Sequence, residues 1–114
     1  RTIIEGKLAI PSDIAVFNDG EREILHVADI FSYRTVDGAT GAVETHLRMQ
    51  GDTLEYPLGV SVNARQSLLT SWFSGSVQRV DRKTGKSVAV LHGFKAPVDA
   101  IETAKGELLV LELG

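Results

Sequence analysis

The chain has 114 residues, 43% hydrophobic and 24% charged, with a formal net charge of −3. That length makes one domain with a sizeable core, and scattered Lys and Arg on a slightly acidic chain exclude the electrostatic footprint of a nucleic-acid or anionic-membrane partner. The absence of cysteine excludes disulfides, thiolate metal sites and a cysteine nucleophile, while no apolar run approaches the ~18 residues of a membrane span and no secretion signal stands out, so the sequence reads as a soluble domain of no particular compartment.

In chain order, residues 1–10 read as an outer strand, because "RTIIEG" aligns with "VAVLHG" at 88–93. A first unit, 11–56, follows Pro11 and offers four short strands: "DIAVF", "ILHVA", "SYRTVD" and "AVETHL". A second unit, 57–96, follows Pro57 with "GVSVN", "SLLTSW", "SVQRVD" and "SVAVLH". Residues 97–114 begin a third unit at Pro97 and contain only two inner strands, in "PVDAIE" and "ELLVLEL". Each first strand alternates apolar and other residues behind a proline, which is tolerated just before a strand. Each second strand is a near-continuous apolar run, the signature of a strand buried on both faces. Each third strand runs into a turn, "GATG" or "RKTG".

The units repeat. At an offset of 44, residues 24–41 and 68–85 share Leu25/Leu69, Ser32/Ser76, Val36/Val80, Asp37/Asp81, Thr40/Thr84 and Gly41/Gly85. Four antiparallel strands every ~40–45 residues is the spacing of a β-propeller blade. A β-sandwich, the rival all-β architecture, does not repeat its strands in register. The reading is therefore all-β, about 2.5–3 propeller blades of four antiparallel strands, as an incomplete ring or one completed by an oligomer. Open blade faces invite pairing, so the expected partners are other copies of the chain or the remaining blades of a propeller.

The proline-led first strand, the apolar strand ending "VAD" at 27–29 and "SVQRVD" running into "KTG" resemble NHL-type repeats. They are equally similar to the wider six-bladed group of gluconolactonase-like and streptogramin-lyase-like propellers. The resemblance implies the fold first and, as an alternative function, a metal-dependent hydrolase or lyase of which this chain is part. Gluconolactonase-like propellers hold a divalent cation (Ca²⁺, Zn²⁺ or Mg²⁺ in kind) on a Glu, an Asn and an Asp, for which Glu102, Asn63 and Asp99 are the candidates here by type and location.

The residues themselves point to binding. In this strand order the segment leading into each first strand and the loop after each second strand share one face, here called the top. Function concentrates on loops held by a rigid scaffold, which makes Asp13, Asp29, Phe31, Trp72, Phe73 and Asp99 the candidate binding residues for a small-molecule or peptide ligand. Two readings are open for Asp13 and Asp99: carboxylates converging on a hard cation or polar ligand, or caps for their own backbone turns. Glu102 replaces Val16 and Val62 of the other units, so it needs solvent, a metal or a partner. Trp72 and Phe73 are either a stacking platform or wedges between blades. His26, within a second strand, reads as structural. No GxSxG, HExxH, P-loop or GxGxxG motif occurs, and the leading reading is a propeller scaffold for ligand or protein binding on its top-face loops.

Overall fold

The structure, a computed structural model, describes residue 3 and residues 5–114. Among the described residues ten strands form three antiparallel sheets. The first sheet is β1 (Pro11–Asp19), β2 (Arg22–Asp29), β3 (Ser32–Asp37) and β4 (Val43–Arg48); the second is β5 (Gly59–Val62), β6 (Gln66–Ser71), β7 (Ser76–Asp81) and β8 (Ser87–Leu91). The third has only β9 (Pro97–Glu102) and β10 (Leu108–Glu112). Strands follow one another in space as in sequence. These are propeller blades, two complete and one half-built, in an unclosed array. The expected outer strand over 1–10 falls partly on residues 1, 2 and 4, outside the described residues; residues 5–10 form bends and irregular backbone. Among the described residues no helix is long and apolar enough to cross a membrane.

The shared Asp, Thr and Gly of the two units are turn chemistry. Asp37 accepts hydrogen bonds from the Ala39 and Thr40 amides, and Asp81 from the Thr84 amide and hydroxyl. Gly41 and Gly85 then take φ of 74° and 70° and close the turn onto the aspartate carbonyl at 2.8 Å in both units. That left-handed step is cheap for glycine alone.

Strand alternation sends each blade's two faces to different neighbours. Ala28, Tyr33 and Leu47 of the first blade meet Val60, Leu69 and Val80 of the second, all buried. Leu68 and Val77 meet Ala100, with Phe94, Leu108 and Val110 packed around them. Each such buried Leu or Val contributes about 1.5–3 kcal/mol by leaving water. Polar pins cross both junctions. The Tyr33 and Ser67 hydroxyls are 2.6 Å apart, and the Ser61 hydroxyl donates to the Ala100 carbonyl at 2.6 Å. The opposite face of the first blade buries Leu25, Val27 and Val36 under Ile3 and Leu8, and leaves Ile14 and Val16 half-exposed.

The register corrects one alignment made from sequence. Asp29 faces Ser32 across the first hairpin, whereas Ser71 faces Ser76 across the second. The first loop is therefore Ile30-Phe31 and the second Trp72-Phe73-Ser74-Gly75, two residues longer. Within the ladders Leu69 takes the place of Val27, not of Leu25, and Trp72 the place of Ile30, not of Ala28.

Candidate ligand-binding pocket

That two-residue slip puts the aromatics of both blades on equivalent loops. Phe31 and Phe73 flank Tyr56, with ring centroids 5.6 and 5.4 Å from it in edge-on and tilted geometry, the arrangement that aromatic quadrupoles favour. Tyr56 reaches them because its backbone turns to a φ of 24° just before Pro57. Ala96, before Pro97, does the same at 49°, so two of the three units share the bend and the aromatic side chain is this blade's own. Ile30, with φ of 27°, makes the tight turn of the first loop.

Between these loops lies a cavity of about 280 Å³, floored by Ile10, Pro57 and Leu58 and walled by Ile30, Tyr56, Trp72 and Phe73. Its lining is almost entirely apolar. Of the two hydroxyls there, of Ser12 and Tyr56, that of Ser12 is already donated to the Leu58 carbonyl at 2.8 Å and ties two blades together. Phe73 is 76% exposed and Trp72 50%. Neither ring is a wedge between blades.

The second loop is held from below. The Ser71 hydroxyl accepts from the Ser74 amide at 3.2 Å, and the Ser74 and Ser76 hydroxyls are 2.8 Å apart. Burial pushes the Glu55 carboxyl up, but hydrogen bonds from Ser74 and His92 outweigh it and leave the group below its usual value. A Cβ on Gly75 would sit 2.6 Å from the Phe94 carbonyl oxygen, so the loop can close only with glycine there.

Of the residues singled out by sequence, Phe31, Trp72 and Phe73 come together; the carboxylates go elsewhere. Asp29 is buried, accepts from the Ala9 and Ile10 amides at 3.0 and 2.7 Å, and lies 3.4 Å from the Arg34 guanidinium. Glu112 accepts from the Lys95 amide at the equivalent place in the third blade. Asp13 caps its own neighbour Ile14 and crosses to the Val60 amide at 3.0 Å. Asp99 caps Ala100 at 2.9 Å. Tyr56, central to the pocket, went unnoticed in the sequence; the available signal was a tyrosine before Pro57 where the other units have Ile10 and Ala96.

Asn63, Asp99 and Glu102 do not fit a divalent cation. Glu102 and Asp99 are three residues apart on one strand and project from opposite faces. The Glu102 side chain, 5% exposed, accepts from Asn63 at 2.9 Å, Gln66 at 2.8 Å and the guanidiniums of Arg65 and Arg79. Burial pushes this carboxyl up, and those donors more than reverse it, holding it below the usual range. Two guanidiniums repel a cation at the oxygens it needs. The Asn63 oxygen is engaged by the Arg65 and Gln66 amides. Among the described residues no three His, Cys, Asp or Glu side chains cluster to hold a metal.

His26 is structural as well. Its Nδ1 lies 2.6 Å from the Tyr33 hydroxyl, and burial, then the charges of Arg82 and His46, lower its pKa to about 4.

The fold and this site define a class: an open array of antiparallel propeller blades with an aromatic pocket on its loop face. Among solved structures, the chain is similar to Kuenenia stuttgartiensis hydrazine synthase, with a TM-score of 0.76 and 19% identity over 99% of this chain and 32% of that one. It thus spans about a third of that protein's length, and the likeness is one of fold. No family model and no curated protein sequence matches the chain.

Proposed function

We propose that this chain is a propeller scaffold that binds a protein partner through the top-face pocket, taking a large apolar side chain of an extended peptide segment between Tyr56, Trp72 and Phe73. The exposed, almost wholly apolar lining carries this reading. A sugar or other polar ligand needs several convergent hydrogen-bonding groups, whereas this lining is almost wholly apolar and leaves only the Tyr56 hydroxyl and the Trp72 indole N–H beside the engaged Ser12 hydroxyl. A cavity of about 280 Å³ falls just below the ~300–1,000 Å³ usual for whole small-molecule ligands, and suits a side chain better than a cofactor. The kinship with NHL-type repeats belongs to the same proposal, supported by the proline-led strands and the shared Asp-Thr-Gly turns.

Trp72 is the single tryptophan, so its fluorescence reports on the pocket directly. Titration with N-acetyl-phenylalaninamide is expected to give a saturable spectral shift, and titration with glucose none. Trp72→Ala and Tyr56→Ala should weaken phenylalaninamide binding, followed by the chemical shifts of the loop amides, at least tenfold. Both variants should keep stability within about 1 kcal/mol, Tyr56→Ala because Ala96 already occupies the equivalent bend and Trp72→Ala because that ring is half-exposed. A response to glucose equal to that for the phenylalanine derivative, or no response to either, would refute the reading.

A further inference from the structure

Tyr56, Trp72 and Phe73 give the pocket three aromatic walls. Tyr56 and Phe73 meet at 5.4 Å between centroids and 48° between planes, so the two rings form a corner rather than a stack. Phe31 braces Tyr56 edge-on at 5.6 Å, and Trp72 lines the same cavity with half its surface exposed. The face of an aromatic ring is the negative end of its quadrupole and attracts a cation within ~6 Å of the centroid, indole most strongly.

The charges set around the cavity are of one sign. No Lys or Arg lines it, and the charged residues next in sequence to its lining are Asp13 beside Ser12, Asp29 beside Ile30 and Glu55 beside Tyr56. Asp29 is answered by Arg34. Asp13 is bonded to the Ile14 and Val60 amides, and Glu55 to Ser74 and His92; among the described residues neither is paired with Lys or Arg. These surroundings favour a cation. Yet the lining offers almost no acceptor, because the Ser12 hydroxyl is donated to Leu58. A primary ammonium, with three N–H donors, loses its water partners on entering such a site. A quaternary ammonium has no N–H to satisfy and presents only methyl groups.

We propose that the side chain this pocket takes from its peptide partner is a trimethylated lysine, its trimethylammonium head seated against Tyr56, Trp72 and Phe73. The inference rests on the pocket being a side-chain site and adds the charge of the occupant. The head is one methyl group larger than the isopropyl end of leucine, which a cavity of about 280 Å³ admits. The flexible four-carbon stem of lysine then spans from the pocket to a peptide backbone on the surface.

The test compares N-acetyl-trimethyllysine amide with its neutral isostere, in which a tert-butyl group replaces the trimethylammonium, by titration against Trp72 fluorescence. The cation should bind at least fivefold tighter than the isostere, and N-acetyl-lysine amide at least tenfold weaker than the trimethylated form. In the double variant Tyr56→Leu, Trp72→Leu, followed by loop amide chemical shifts, the preference for cation over isostere should vanish while the isostere still binds. Equal or tighter binding of the isostere overturns the proposal and leaves an apolar side-chain pocket standing. Failure of the trimethyllysine derivative, the isostere and N-acetyl-phenylalaninamide together removes both readings. Choline binding as tightly as the trimethyllysine derivative overturns the peptide source, since the lysine stem and backbone would then contribute nothing.

Discussion

His26 and Tyr33 form a buried pair whose ionisation burial opposes in both directions. The tyrosine pKa is raised to about 12, mainly by burial, and the histidine is lowered to about 4. An unfolded histidine titrates near ~6.5, so between that pH and 4 the unfolded chain holds more protons than the folded one. Stability contributed by neutral His26 is complete above pH ~6.5 and is lost as pH falls towards 4. Thermal unfolding from pH 7 to 4 should show Tm falling by several degrees. His26→Gln should reduce that dependence, leaving the share of His46, which burial also lowers despite the opposing charge of Glu44. A pH profile unchanged in the variant would remove His26 as its source.

At the scale of elements, the second hairpin loop depends on its last residue. Gly75 has φ of 65° and lies against the Phe94 carbonyl, so Gly75→Ala adds both a strained backbone and a clash with main-chain atoms. The loss should be about 2 kcal/mol or more, read from the urea midpoint at constant m-value. Trp72 fluorescence should change with it. Strands and turns of this kind were legible in the sequence, because Pro11, Pro57, Pro97 and the Asp-Thr-Gly turns each have a local physical cause. The loop itself was less so. Matching Leu25 with Leu69 maximised identity, but hydrogen-bond pairing follows the hairpins, and two extra residues in one loop shift every upstream partner. Tyr56 was hidden for a related reason: its role comes from a backbone bend that brings together rings 25 and 17 positions away in sequence.

For the whole molecule, the junction between second and third blades is the weak one. Among the described residues the third blade has two strands, and Glu102 ties them to Asn63, Gln66 and Arg79 of the second. Sequence reasoning saw that Glu102 needed a partner but not which, since Arg65 and Arg79 lie in different strands and turns. Glu102→Ala leaves Arg79 without its carboxylate and should uncouple the third blade. Amides of Ala100 and Val110 should then exchange faster than those of Val60 and Leu69, where the wild-type chain shows a smaller gap. Equal acceleration everywhere would mean that the chain opens as one unit.

The residue at the start of each first strand gives the array a direction. Asp13 can reach across to the Val60 amide because Gly59 has no side chain to claim that amide, and a Cβ on Gly59 would lie 2.6 Å from the Val98 carbonyl oxygen. In the first and third blades the aspartate claims its own neighbour's amide as well. The blades are thus not interchangeable modules. A shuffled chain ordered 57–96, 11–56, 97–114 would keep every strand and turn, yet place Asp13 against Asp99 and strand Gly59 where no carboxylate approaches it. Such a protein should have the composition and local structure of the original, and fail to assemble its blades.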